Sequence, residues 1–283
     1  MNSRTRAELF LLSITLIWGS TFALSKYLLD TMSPLFYIGV RFSLALVIFT
    51  LLASGRVFAT TKDAFIKGGI LGVLLFSGFA AQTIGLQYTG ASKSAFITGM
   101  MVVFTPICQI LIERRAPKVG NIIGIVLVTI GLFLLTSPAG SEFNLGDGLN
   151  LFCALTFALY IVYLDVFSKG LDPVHLTVAQ FVVCGVLGFI AAGFFETVRF
   201  HPTAGAYGAL LYLTIFATVI ALFVQTRYQK DTTPTRSALI FSIEPVLAAG
   251  FAYLILGEVL GVVGMVGGGL IVGGVLISEL SPS

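Results

Sequence analysis

Glu244 is the residue of this chain whose position most needs a chemical explanation. It lies eight residues beyond Arg236 and fourteen before Glu258, inside an apolar run. On a helix rising 1.5 Å per residue, that is roughly 12 Å from one end and about 21 Å from the other. A glutamate cannot reach water across such a distance, so it must face a cavity or a partner. Two readings stay open: a protonatable or substrate-pairing group, or an ion-paired or protonated packing residue beside Pro245, whose ring frees a backbone carbonyl. Arg41 stands seven residues after Pro34, roughly 10 Å inward, and either extends outward or bridges to an acid. Lys26 and Lys93 lie near enough to a surface to snorkel, with contact to a ligand as the alternative. Gln82 and Gln225 sit near the ends of two apolar runs, where a carboxamide hydrogen-bonds a ligand or ties helices together. Trp18, Tyr160 and Tyr163 supply aromatic surface, suited to a small apolar or aromatic molecule or to anchoring at a lipid interface.

The elements that position these residues are membrane helices. Of 283 residues, 57% are hydrophobic and 10% charged, against roughly a quarter charged in soluble chains, and the mean hydropathy is +1.01. No short alternation of polar and apolar residues marks a membrane barrel, which leaves helices as the spanning element. Apolar stretches long enough for about 30 Å of hydrocarbon predict ten helices, near 9–29, 35–54, 65–88, 93–112, 119–136, 149–167, 174–195, 205–226, 237–256 and 260–278. Turn residues separate them, among them Ser33-Pro34, Thr89-Gly90, Ala116-Pro117, Ser137 to Gly140, Asp172-Pro173, His201-Pro202, Thr233-Pro234 and Gly257. The first run is too long for the core of a cleaved leader and lacks a small-residue cleavage site, so it is expected to stay attached. Cys108, Cys153 and Cys184 fall inside apolar runs and read as packing residues.

Charge then sets direction. With the N-terminus in the cytoplasm, the inner segments hold twelve of the sixteen lysines and arginines, an asymmetry that places both termini on the cytoplasmic side of the cell's inner (plasma) membrane. The net charge of +3 therefore reports topology, and no nucleic-acid partner is expected. The segment from Gln82 to Ile97 also aligns without gaps to the segment from Gln225 to Ile240, about half the chain later, with six identities. Thr21 to Leu24 recurs as Thr156 to Leu159, and Pro34 with Phe42 as Pro173 with Phe181. Three matches in one order predict two five-helix repeats, 1–140 and 141–283. Five is odd, so the second enters the membrane from the opposite side, and the bases agree: Lys93 stands alone where its counterpart has Arg227, Lys230 and Arg236. Inverted repeats of this kind underlie alternating access.

Trp18-Gly19-Ser20-Thr21-Phe22, Arg41, Ser94-Ala95-Phe96-Ile97, Pro106, Glu244-Pro245, Leu256-Gly257-Glu258 and the glycine-rich last helix together resemble the EamA family of the drug/metabolite transporter superfamily. That resemblance covers nearly the whole chain. It implies ten helices in two inverted repeats, a substrate cavity between the halves to which Thr21 is added, and export of amino acids or other small metabolites. The expected activity is secondary transport, with a small-molecule substrate, membrane lipid as surroundings, facilitated or proton-coupled movement, and no cofactor or metal. The chain has no GxxxxGK[ST] loop for direct nucleotide coupling. A polytopic membrane enzyme is the alternative of another class; its histidines, His175 and His201, fall on opposite sides with no carboxylate cluster beside either. A passive channel is the second alternative, lacking a ring of polar residues along one helix. The glycines of the last helix predict close packing within the chain, or a homodimer contact.

Overall fold

A backbone without water must bond to itself, and in the computed structural model the described residues, 2–136, 143–201, 203–248 and 261–280, do so almost entirely as helix. The helices are α1 (Ser3–Trp18), α2 (Thr21–Leu29), α3 (Pro34–Leu52), α4 (Lys62–Tyr88), α5 (Ala91–Gly99), α6 (Met101–Glu113), α7 (Val119–Thr136), α8 (Leu145–Ser168), α9 (Pro173–Phe195), α10 (Ala204–Thr214), α11 (Ala221–Tyr228), α12 (Pro234–Phe241) and the last helix, Val262–Leu280. The only extended pairing among the described residues is an isolated bridge between Met32 and Phe200. The protein is all-α.

Among the described residues, seven segments are long and apolar enough to cross a membrane: Ser3–Leu29, Pro34–Leu52, Lys62–Tyr88, Lys93–Glu113, Leu145–Ser168, Pro173–Phe195 and Ala204–Asp231. Val119–Leu135 and Val262–Ser278 are shorter apolar helices. The expected ninth helix, 237–256, lies partly outside the described residues, as do Ser137 to Gly140, Pro202, Gly257 and Glu258. Large apolar side chains such as Leu51, Leu111, Phe194 and Phe195 face outward, while Arg41, Ser94, Asn150, Gln180 and Gln225 are buried. Buried polar groups together with many exposed large apolar side chains suit a bundle whose surroundings are lipid tails.

The connections order the two ends of the bundle. From a near end at Ser3, α1 and α2 lead to a far end at Asp30. From there α3 returns and α4 crosses again, so the turn from Tyr88 to Ala91 is at the far end. There Lys26 Nζ donates to the Thr89 carbonyl at 3.1 Å, and the Asn144 carboxamide donates to that of Tyr88 at 3.3 Å. At the near end Arg56 pairs with Asp172 at 2.6 Å, and the Phe10 ring stacks on Tyr228 at 4.2 Å.

Small residues let the helices touch backbone to backbone. A Cβ added at Gly131 of α7 would stand 2.6 Å from the Gly267 carbonyl oxygen of the last helix, and one at Gly124 would stand 2.6 Å from that of Gly274. The glycines of the last helix thus pack within the chain along one face, while Gly261, Gly269 and Gly273 look onto open space. Gly131→Val is expected to force α7 and the last helix apart at a cost of about 1–3 kcal/mol. In detergent this reads as a lower unfolding temperature, whereas Gly208→Ala, at a position with nothing within 4 Å, leaves it unchanged. Equal melting of the two variants would show that this contact does not hold the helices together.

Candidate functional site

Four spans expected to run unbroken are interrupted or widened within the described residues. The first is broken at Gly19 and Ser20, between α1 and α2. The Ser20 hydroxyl donates to the Ile17 carbonyl at 2.8 Å, which also accepts the Ser20 backbone N–H at 3.2 Å, and that of Thr21 donates to the Trp18 carbonyl at 2.9 Å. Another breaks at Met100, between α5 and α6, and another at Ser242 and Ile243, after which helix resumes over 244–248. Glu244 and Pro245 thus open a helical segment, where proline's missing N–H costs little. The fourth widens into a π segment, Ile215–Ile220, between α10 and α11. Such widening frees carbonyls, and Trp18 Nε1 donates to one of them, Ala217, at 3.1 Å.

A cavity opens where these irregular stretches meet, enclosing about 600 Å³ of space not filled by protein, its open mouth included. Trp18, Thr21, Arg41, Gln82, Tyr160, Gln225 and Glu244 all line it. Each of these is a residue that the sequence marks as a candidate. The remaining lining is mostly apolar, with Phe79, Phe157, Phe241, Met101, Leu75, Ile161 and Leu222, plus Thr98. Lys93 and Tyr163 stand elsewhere: Lys93 pairs with Asp147 at 2.6 Å at the far end, and the Tyr163 ring packs on Phe167 with centroids 5.4 Å apart.

The polar groups of the cavity differ in how fully they are occupied. Tyr160 donates its hydroxyl to Gln180 Oε1 at 2.7 Å, Gln82 donates to the Thr98 hydroxyl at 3.3 Å, and Gln225 donates to Gln229 Oε1 at 2.8 Å. Arg41, only 3% exposed, donates Nε to the Thr218 hydroxyl of the π segment at 2.6 Å and Nη1 to the Tyr37 hydroxyl at 3.0 Å. Its guanidinium also lies 5.1 Å from the centre of the Phe79 ring. These contacts solvate the cation with hydroxyl dipoles and a π face, but no carboxylate lies within ion-pair distance of it among the described residues. Glu244 is the converse: among the described residues its carboxylate has neither a hydrogen-bond donor nor a cation. Among the described residues, the cavity is therefore lined by one carboxyl group and one guanidinium, and no described residue forms an ion pair with either.

Several lining residues fall in the registers of the sequence self-matches. Phe79 and Leu222, Thr98 and Phe241, and Met101 and Glu244 all lie in the register that sets Gln82 on Gln225. Trp18 and Phe157, and likewise Thr21 and Tyr160, lie in the register that sets Pro34 on Pro173. The alignment of Gln82 on Gln225, extended a few residues, is the signal in the sequence for Thr98, Met101 and Phe241.

A family model described as the EamA-like transporter family matches the chain twice, at residues 5–137 and 144–280. The chain belongs to the EamA-like transporter family. An uncharacterized transporter of Archaeoglobus fulgidus is 35% identical over 98% of this chain and 87% of its own length. The S-adenosylmethionine/S-adenosylhomocysteine transporter of Chlamydia muridarum is 27% identical over 86% of this chain and 81% of its own. A solved crystal structure superposes with a TM-score of 0.82 over 98% of this chain and 97% of its own, at 16% identity, and so shares the fold. This EamA-like protein is a multi-pass membrane transporter.

Proposed function

We propose that the chain is a secondary carrier of small zwitterionic metabolites, amino acids or compounds bearing an amino-acid group, working by alternating access. The observation that carries this reading is that Arg41 and Glu244, neither of them ion-paired among the described residues, line one cavity together with aromatic and neutral polar side chains. A buried charge is costly until it meets its opposite. A cargo with both signs neutralises the two sites together, its carboxylate taken by the planar guanidinium and its ammonium by Glu244. Cargo of one sign leaves one of them uncompensated. The aromatic lining accommodates an apolar or aromatic remainder. The similarity to a transporter of S-adenosylmethionine and S-adenosylhomocysteine supports it further, since both compounds end in an amino acid.

The architecture we propose is ten helices in two inverted halves, 1–140 and 141–283, in the inner membrane with both termini cytoplasmic. In favour, the breaks at Met100 and Ile243 are in the same register as Gln82 and Gln225, and the near end carries Arg4, Arg6, Arg56 and Arg227. A carrier without a nucleotide-binding loop moves cargo down the available gradient, which for metabolites made in the cytosol is outward. Counterflow in proteoliposomes tests it, with labelled neutral amino acids and S-adenosyl compounds beside their decarboxylated and N-acylated analogues. Exchange of the zwitterions alone is expected. Equal exchange of the singly charged analogues, or no movement of any compound by folded protein, overturns the reading.

A further inference from the structure

Among the polar clusters outside the cavity, one at each end of the bundle joins the two halves in a corresponding way. At the near end, Glu8 of α1 accepts from the Thr232 hydroxyl at 3.1 Å and from Arg236 of α12 at 3.3 Å, with Arg4 on the same oxygen at 2.7 Å. At the far end, Asp147 of α8 accepts from the Thr89 hydroxyl at 3.1 Å and from Lys93 of α5 at 2.6 Å. The parts correspond. Thr89 matches Thr232 and Lys93 matches Arg236, both in the register that sets Gln82 on Gln225. Glu8 matches Asp147 in the register that relates Trp18 to Phe157 in the cavity lining. In both clusters the acid comes from one of the two family-matched segments, 5–137 and 144–280, and the threonine and cation come from the other. Each acid stands ten residues before its lining partner, Trp18 or Phe157, or about 15 Å along its helix. The clusters therefore sit beyond the cavity, toward opposite ends, and tie one half of the protein to the other.

We infer that these clusters are the two gates of the carrier: Glu8 with Thr232 and Arg236 closes the near end, and Asp147 with Thr89 and Lys93 closes the far end. The inference rests on the alternating-access reading and deepens it. Two halves that rock about a central site must separate at one end while they stay joined at the other. A crossed pair of ionic latches contributes to this, one at each end, alongside other contacts between the halves such as Arg56–Asp172 at the near end and Asn144–Tyr88 at the far end. The Asp147 side chain is fully buried and that of Arg236 only 4% exposed, so a broken latch leaves a charge that water must enter to solvate. Opening and hydration at that end are therefore coupled. Both clusters are formed in this structure.

The test places a reporter cysteine in the cavity, Met101→Cys, in a chain whose Cys108, Cys153 and Cys184 are replaced, and labels it from either face of oriented vesicles with a membrane-impermeant thiosulfonate, without cargo. Lys93→Gln is expected to raise labelling from the far face roughly tenfold and lower it from the near face, as a shift between two states requires. Glu8→Gln is expected to do the reverse, and Lys93→Arg to keep the original pattern. Thr89→Val and Thr232→Val, which remove one hydroxyl each, follow the same two directions more weakly and serve if a charge variant does not fold. Labelling that changes equally from both faces, or from neither, overturns the gates. Sided labelling in a protein that moves no cargo overturns the carrier reading and leaves the latches standing; transport with unsided labelling does the opposite.

Discussion

Glu244→Gln is expected to weaken binding of zwitterionic cargo about 10- to 100-fold, the loss of one charge-assisted hydrogen bond of roughly 1.5–3 kcal/mol. Glutamine matches glutamate in size and keeps a hydrogen-bonding head, so the cavity's shape is retained and only the negative charge goes. Because no protein cation leans on the Glu244 carboxylate among the described residues, its removal strands no partner inside the protein. The effect should therefore fall on cargo rather than on folding, and the unfolding temperature without cargo should not drop. The discriminating measurement is competition by an N-acylated analogue. It binds the wild type weakly because its amine no longer carries charge, and the variant should bind it no worse. Glu244→Asp, which keeps the charge on a stem one methylene shorter, should recover part of the affinity. If Glu244→Gln binds cargo with unchanged affinity, or loses acylated and free analogues alike, Glu244 is not the ammonium site.

The helices and their chemistry are legible in the sequence because lipid simplifies the code. Every long apolar run has to be helix, and every ionisable residue inside one has to be answered by a cavity or a partner. That logic singles out Glu244 and Arg41 with no knowledge of the fold, and both face one cavity. It cannot foresee the interruptions at Gly19, Met100 and Ser242 or the π segment at Ile215–Ile220, because hydropathy windows average across a break that costs only one or two hydrogen bonds. Neither Ser20 nor Ser242 differs in kind from serines in unbroken stretches. In sequence Lys93 reads as a surface cation with a ligand as the alternative, whereas it pairs with Asp147 of α8, a contact fixed by how distant helices meet. The self-match of Thr21 to Leu24 with Thr156 to Leu159 is out of step with the lining of those helices, where Thr21 corresponds to Tyr160 instead. The slip from Thr156 to Tyr160 is about one helical turn, which keeps a residue on the same face, and so short a run of identity cannot detect it.

Arg41→Met is expected to reduce transport of zwitterions by about 100-fold or more, because on the proposed reading Arg41 both holds its own plane against the π segment and offers a charge to the cargo's carboxylate. Its Nε and Nη1 are engaged with Thr218 and Tyr37, fixing the guanidinium plane against the π segment. Nη2 has no hydrogen bond among the described residues, which leaves it for a carboxylate. Since guanidinium does not lose its proton in a protein, the cation persists through the whole cycle, and the empty carrier must solvate it with hydroxyls and the Phe79 ring alone. Lysine keeps the charge but not the fork. One ammonium cannot hold both hydroxyls in that plane and also present a free donor to cargo, so Arg41→Lys should raise KM for zwitterions about tenfold while decarboxylated amines are unaffected. Thr218→Val separates the two jobs: it removes the hydroxyl that accepts from Arg41 and donates to the Leu213 carbonyl at 2.9 Å, leaving charge and fork in place. A raised KM for zwitterions in Thr218→Val, smaller than in Arg41→Lys, would mean that the π segment holds the guanidinium in aim. An unchanged KM in Arg41→Lys would mean that the cargo's carboxylate is held elsewhere.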